Sequence, residues 1–378
     1  MNTDIIKGFR DYTGEEAEKR QRIKEIMEKT FQTYGFEPAE TPIIESEEFV
    51  VGENSNDEAV SDRYKLEDKG KRKLALRYEF TFQLKRIAKN KKLPWKRYQF
   101  GAVFRDEPVS SNRVRQLTQC DIDVIGSTIK DEAEILKTFS EALKKLNIKF
   151  KIYVNNRKLL NEILEELKIE EKNKSQVIRE IDKLDKLSKE EVKSNLKKFK
   201  AEKTLDIFTK PEKYFEKYPS YNEIKELREM CKFYGVEFEF VPFLARGLSY
   251  YNRSVFEIKT DKMKETICGG GSYMTNGIQA TGISASIERL EVLAKVDSDS
   301  EKYLIVSLSE DKKSIELAQK LRSSGKTVTI IYGKPSKALD YANSYKINKV
   351  IFVGEKEVKE KKFKVKDMLT GKESVLKI

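Results

Sequence analysis

The chain has 378 residues, 38% hydrophobic and 37% charged, with 75 Lys and Arg against 63 Asp and Glu, three cysteines and no histidine. That length exceeds one compact core of ordinary size, so two or three domains are expected beneath a highly charged surface. Without histidine, Ser-His-Asp and Cys-His catalysis and most zinc sites are excluded. Cys120, Cys231 and Cys268 are too scattered for a disulfide framework or a thiolate zinc site. The opening MNTDIIKGFRDYTGEE has no basic segment followed by an apolar run. No stretch approaches the roughly 18 apolar residues of a spanning helix, so a cytoplasmic location is expected.

In chain order, residues 14–34 place Ile23, Ile26, Met27 and Phe31 at helical spacing, with Gly35 as the stop. FEPAETPIIE reads as extended, Pro42 suiting an edge or a strand start. KLALRYEFTF and KRYQFGAVFR alternate at period two, and RQLTQCDIDVIG does the same after the polar loop DEPVSSN. The two runs flanking that loop are predicted to pair as an antiparallel hairpin. Residues 131–146 read as helix and FKIYVNN as strand. Residues 157–235, rich in Lys and Glu with helical periodicity, read as a separate helical insert. LARGLSYYNRSVFEI (244–258) then leads into a strand, and CGGGSYM reads as a close backbone approach. ATGISASIERLEVL is predicted helical. After the polar KVDSDSEK, the runs YLIVSLS, KTVTIIYG and KVIFVG alternate with two helical stretches, a βαβαβ pattern. Residues 301–378 hold 18 Lys and Arg against 10 Asp and Glu, a net +8 out of the whole chain's +12. Such a concentration suits a polyanionic partner, although a lysine-biased, solvated surface gives the same numbers.

Strand alternation separates chemistry from core. In LRYEFTF, Arg77, Glu79 and Thr81 are expected on one face, opposite Leu76, Tyr78, Phe80 and Phe82. In QCDIDVI, Gln119, Asp121 and Asp123 fall together, and in RYQFGAVFR Arg105 shares the face of Gln99 and Gly101. A floor of carboxylates, a hydroxyl, an amide and an arginine can grip a small zwitterion. Arg105, Arg113 and Arg115 around the hairpin loop can bind phosphate or pair with Asp106 and Glu107. Gly269–Gly271 do not form a GxxxxGK[ST] loop, and none occurs elsewhere, which disfavours a P-loop nucleotide fold.

These motifs, in this order, resemble the histidyl-tRNA synthetases, a class II family, over nearly the whole chain. KGFRDY and TPIIE are similar to the family's start and its dimer-forming first motif, and LRYEFT to its amino-acid-binding loop. FRDEPVSSNRVRQLTQCDIDVIG is similar to motif 2, and LARGLSYYNRSVFE to a peptide peculiar to these enzymes. GGGSYM with GISASIERL resembles the second signature and motif 3. The resemblance implies an α+β fold: an antiparallel-sheet catalytic core over 1–156 and 236–296, a helical insertion over 157–235, and an α/β anticodon-binding domain over 301–378. It implies Glu79, Thr81 and Gln119 on the substrate's α-amino group, and Asp123 and Tyr251 on its imidazole, with Tyr250 and Tyr273 shaping the pocket. Arg105 and Arg246 are implied at the carboxylate and the α-phosphate of ATP, Arg289 at the distal phosphates, and Glu107 and Arg113 at the nucleotide.

The implied partners are ATP with Mg²⁺, L-histidine and tRNA(His), in a homodimer with no structural zinc. An apolar analogue is expected to leave the Asp123 carboxylate unpaired, a mismatch that can cost about 10⁴-fold in selection. Ser249, Ser272 and Met274 depart from the family's ARGLDYY and GGRYD, and the segment from Met274 to Gly282 is shortened. These departures are expected to fall around the substrate pocket. Two other readings are a synthetase-like regulatory subunit of ATP phosphoribosyltransferase and a catalytically inactive tRNA-binding paralogue. The terminal domain and the retained Arg105, Arg246 and Arg289 argue against both.

Overall fold

The computed structural model describes residues 1–52, 58–109, 113–185, 187–246, 250–296 and 301–376. The chain divides into two compact units, Met1–Val296 and Asp297–Ile378.

The first unit is organised by the predicted hairpin. Strand Trp95–Phe104 pairs antiparallel with Gln116–Ile125 in unbroken register, from Trp95 opposite Ile125 to Phe104 opposite Gln116. Ile278–Ser286 pairs antiparallel with Gln116–Ile125, followed by Met263–Thr275, Tyr251–Thr260 and Lys151–Asn156. Short parallel strands, Glu37–Pro38 and Glu239–Phe240, close the two edges of this eight-stranded sheet. One face is apolar because alternate residues are: Tyr98, Cys120, Ile122, Val124, Phe256, Ile258 and Ile283 join one buried core. Helix Gly14–Thr33 lays Ile23, Met27 and Phe31 on that face, and Ile129–Lys145 adds Leu136, Phe139 and Leu143. The Phe31 ring sits 5.5 Å from that of Phe139 and stacks on Phe100. The opposite face of the sheet is polar and carries the site.

Helices Arg157–Glu166, Glu171–Asp182 and Lys189–Lys197 surround a second apolar cluster that includes Leu160, Ile181, Leu196 and Phe215. The following helix, Tyr221–Phe233, serves both cores. Tyr221 and Ile224 enter the insert's cluster, and Leu227 and Cys231 enter the core beneath the sheet.

Two local expectations fail. The strand Lys73–Leu76 ends at the first residue of LRYEFTF, and the chain is irregular from Arg77 to Gln83. Arg77 is turned into the sheet: its Nε donates to the Ala102 carbonyl (2.8 Å) and Nη1 to that of Thr41 (2.7 Å). It therefore leaves the face of Glu79 and Thr81, and period two does not hold. The helix expected across ATGISASIERLEVL begins only at Ile287, because Ile278–Ser286 finds two strand partners that outweigh its local preferences.

The second unit has a five-stranded sheet. Strands Lys302–Ser307, Thr327–Tyr332 and Lys349–Val353 are parallel with Lys302–Ser307 central, as the βαβαβ pattern requires. Helices Asp311–Ser323 and Pro335–Ser344 connect them, with apolar clusters around Leu317 and Ala338. Two antiparallel strands, Lys364–Asp367 and Glu373–Val375, extend the sheet at one edge. Their short sequences, KVKD and ESV, gave no strand signal.

Candidate active site

The polar face of the first unit's sheet is the floor of a cavity of about 890 Å³. Register brings polar residues into rows across the strands. One row runs Gln99, Asp121, Ser284, Gly269, Glu257; the next runs Arg97, Asp123, Gly282, Gly271, Val255. Glycines in these rows are gaps that charged side chains occupy. A methyl on Gly269 would lie 2.4–2.6 Å from the Arg246 guanidinium, and one on Gly282 would lie 2.1 Å from Asp123 Oδ1. The close approach foreseen at CGGGSYM is thus made, at Gly269, by the arginine of LARGLSYY.

All twelve predicted site residues line this one cavity: Glu79, Thr81, Arg105, Glu107, Arg113, Gln119, Asp123, Arg246, Tyr250, Tyr251, Tyr273 and Arg289. Arg77 does not. Arg105 donates through Nε to the Tyr78 carbonyl (3.1 Å) and through Nη2 to Gln119 Oε1 (3.3 Å). Arg246 stands at φ +63°, a left-handed conformation unusual outside glycine, and its Nη1 donates to Glu257 Oε1 at 2.7 Å. Arg289 donates to the Thr266 carbonyl at 2.6 Å. Its helix, Ile287–Leu293, is tied to the first helix by Arg20, which pairs with Glu288 (2.7 Å) and Glu291 (2.9 Å). Arg113 lies 3.5 Å from Glu107. Burial, followed by repulsion from Arg105 and, more weakly, from Arg113 and Arg246, holds the Arg289 guanidinium below its ordinary value. Three guanidinium groups therefore act repulsively on the fourth, Arg289, and a polyanion would relieve that repulsion.

At the other end of the floor three tyrosine rings meet. Tyr250 lies 4.8 Å from Tyr251 and 5.6 Å from Tyr273, and its hydroxyl donates to Glu79 Oε2 at 3.1 Å. The Tyr273 hydroxyl donates to Asp123 Oδ1. Asp123 Oδ2 lies 2.6 Å from Nη2 of the fully buried Arg97. Burial pushes the Asp123 carboxyl up, with Arg97 and Tyr273 opposing it. This corrects the expectation of a bare carboxylate: an apolar analogue would still leave Asp123 with two partners, so Asp123 alone does not carry the selectivity.

Sequence reasoning missed Arg97 and Glu257 and gave Asp121 no role. The signal for Arg97 was present, since the ten-residue hairpin places it directly opposite Asp123. The signal for Glu257 was a lone carboxylate inside the apolar run SVFEI. Two of the three departures are relocated. Ser272 lies on the opposite face of the sheet, donating its hydroxyl to buried Glu132, and Met274 is exposed to solvent. Neither lines the cavity. Burial pushes the Glu132 carboxyl up, opposed by the Ser254 and Ser272 hydroxyls and by the charge of Arg253. Ser249 lies outside the described residues. Among the described residues, no group of three or more Cys, Asp or Glu side chains is placed to hold a metal, and no helix is long and apolar enough to cross a membrane.

Residues 8–290 match the family model for histidyl-tRNA synthetase, and residues 302–378 match the model for an anticodon binding domain. A histidine–tRNA ligase from Bacillus cereus is 32% identical, covering 99% of this chain and 95% of the relative. One from the archaeon Methanocaldococcus jannaschii is 33% identical over 98% of this chain and 97% of its own. The crystal structure of histidyl-tRNA synthetase from Nostoc superposes with a TM-score of 0.85 at 23% identity, covering 100% of this chain and 97% of that one. A Bacillus halodurans structure described as an ATP phosphoribosyltransferase regulatory subunit/histidyl-tRNA synthetase gives a TM-score of 0.78 at 21% identity, covering 93% of this chain and 98% of that one. The match of the family model across most of the chain, with relatives above 30% identity along its whole length, establishes that this chain belongs to the histidyl-tRNA synthetase family.

Proposed function

We propose that the chain activates L-histidine with ATP and transfers the histidyl group to the 3′ end of tRNA(His). The observation that carries this reading is the convergence of Arg105, Arg113, Arg246 and Arg289 on one cavity whose other end is lined by acceptors and tyrosines. Glu79, Thr81 and Gln119 hold the substrate ammonium, and Asp123 and Tyr251 hold the imidazole, with Tyr250 and Tyr273 forming its walls. Arg105 and Arg246 bridge the substrate carboxylate and the α-phosphate. Arg289 takes the distal phosphates, and Glu107 and Arg113 contact the nucleotide, which enters as its magnesium complex.

The chemistry needs no imidazole on the enzyme. The substrate carboxylate oxygen attacks the α-phosphorus, the bond to the β-phosphate oxygen breaks, and pyrophosphate leaves. A ribose hydroxyl of the tRNA then attacks the acyl carbon and releases AMP. Positioning and neutralisation of developing charge supply the acceleration. The basic 302–378 unit holds the anticodon arm, phosphates giving affinity and loops reading bases. The enzyme works as a cytoplasmic homodimer; exposed Ile43 and Ile44, in the segment resembling the dimer-forming motif, support that assembly.

A regulatory or inactive paralogue has no need of the arginine cluster. The test is histidine-dependent ATP–pyrophosphate exchange by the wild type and by Arg246→Ala. Exchange in the wild type and a loss of about 10²-fold or more in the variant are expected. An inactive wild type, or a variant with near-normal exchange, would refute the reading.

A further inference from the structure

We propose that Asp121 is a positioning residue for the substrate's α-ammonium group: it fixes the Gln119 amide and sets a second carboxylate oxygen beneath the bound amine. The proposal rests on the amino-acid-binding role given above to Glu79, Thr81 and Gln119, and extends it to a residue with no assigned part.

Asp121 lies on strand Gln116–Ile125, between Gln119 and Asp123 on the same face, and lines the cavity with only 4% of its surface exposed. Its Oδ2 accepts from Gln119 Nε2 at 2.9 Å. With Oδ2 as the acceptor, the amide sends its N–H₂ down and its Oε1 up. The raised Oε1 accepts from Arg105 at 3.3 Å and is the atom that an ammonium needs. Asp121 Oδ1 is buried with no hydrogen-bond partner among the described residues. A buried polar atom without a partner is costly; once the carboxyl is ionised, Oδ1 can accept from a bound ammonium, which removes that cost.

The charged groups acting on Asp121 are few. Arg97 on the adjacent strand and Arg77 from the preceding segment attract, while Asp123 and Glu79 repel. Ser284, opposite it on strand Ile278–Ser286, carries no charge. Burial dominates and pushes the carboxyl up to about 8. In the empty site Asp121 therefore holds a proton near neutrality, and an arriving cation favours the ionised form. Amino-acid binding then releases a proton, which leaves to the buffer as the ammonium takes its place.

The test is calorimetric titration of the whole chain with L-histidine at about pH 7.5, in two buffers of different ionisation enthalpy, beside steady-state exchange kinetics. Net proton release on histidine binding is expected in the wild type, and much less in Asp121→Asn, whose amide presents a donor where an acceptor stood. The variant's KM for histidine should rise about ten- to a hundredfold while its KM for ATP stays within twofold. Imidazolepropionate, which lacks the amine, should release no comparable proton and should bind both proteins alike. Equal proton release by wild type and variant, or an unchanged histidine KM in the variant beside a wild type active in exchange, overturns the proposal alone. A wild type with no histidine-dependent exchange overturns the functional reading with it.

Discussion

Replacing Arg97 by methionine tests whether the floor beneath the aromatic end of the cavity is held by an ion pair. Arg97 is 0% exposed and Asp123 3%, with 2.6 Å between Nη2 and Oδ2. Losing one partner of such a pair leaves a buried charge without its counter-ion, here held only by the Tyr273 hydroxyl among the described residues, and typically costs about 3–5 kcal/mol. Removing both charges in Arg97→Met with Asp123→Asn eliminates the desolvation penalty along with the attraction, and such exchanges are often neutral. The double variant should therefore recover most of the loss, to within about 1–2 kcal/mol of the wild type. The chain's single tryptophan is Trp95, at the start of the same strand, so its fluorescence reports on this sheet without signal from the second unit. Urea unfolding followed at Trp95 gives the midpoints, and an unchanged slope verifies that the same surface unfolds. The cost of the single variant should be greater at about pH 8 than at about pH 6, because Asp123 can escape its unpaired state by binding a proton. A single variant costing under about 1 kcal/mol, or a double variant costing as much as the two singles added, would refute the argument.

Gly269→Ala should fold but lose activity. The three atoms nearest its methyl all belong to the Arg246 guanidinium, which must move off Glu257, and a fall of about 10²-fold in pyrophosphate exchange with little change in the unfolding midpoint is expected. Ser272→Ala should do the reverse: Glu132 loses a hydrogen bond, lowering stability by about 1–2 kcal/mol, while the histidine KM stays within twofold. A tenfold rise in that KM would put Ser272 back at the pocket. The third expectation concerns stability against pH. Asp121 ionises near 3.8 in an unfolded chain and near 8 in the fold, so between those values the folded state binds more protons. Its contribution to stability therefore falls as pH rises across that window and levels off above it. Asp121→Asn, which carries no such proton, should gain on the wild type from about pH 4 to about pH 8, and urea midpoints measured in parallel that run flat against each other would contradict this.

The apolar half of this architecture was readable because it depends on periodicity alone. Ile23, Met27 and Phe31 recur at helical spacing, Tyr98, Phe100, Ile122 and Val124 at strand spacing, and each is where its period puts it. The polar half was readable to the extent that motif and strand alternation agree, as at Gln119, Asp123 and Arg105. It failed at Arg77, where period two was extended beyond the end of a strand. The residues that went unassigned act through partners fixed by register between strands far apart in sequence. Nothing local marks Arg97 as the counter-ion of Asp123, or Ser272 as turned toward Glu132. The first follows once ten hairpin pairs are aligned, and the second only once a helix from residues 129–145 is laid across the back of the sheet.

The same long-range register explains how arginines can be held ready for a ligand that is not yet bound. A guanidinium has five N–H donors, and three of the four expected at the nucleotide have some of them committed to backbone carbonyls or neighbouring side chains. Arg105 uses the Tyr78 carbonyl and Gln119, Arg246 uses Glu257, and Arg289 uses the Thr266 carbonyl. Those anchors fix the direction of the plane, and the remaining donors are what a phosphate can take. Bringing the groups together adds repulsion to the burial that depresses Arg289, and the glycine at 269 leaves room for the Arg246 guanidinium on the sheet. Donors oriented in advance need no reorganisation as charge develops on the phosphorus, which is where preorganised sites gain their rate. An enzyme built this way has little use for a titrating imidazole, and the absence of histidine from the whole chain is compatible with that chemistry.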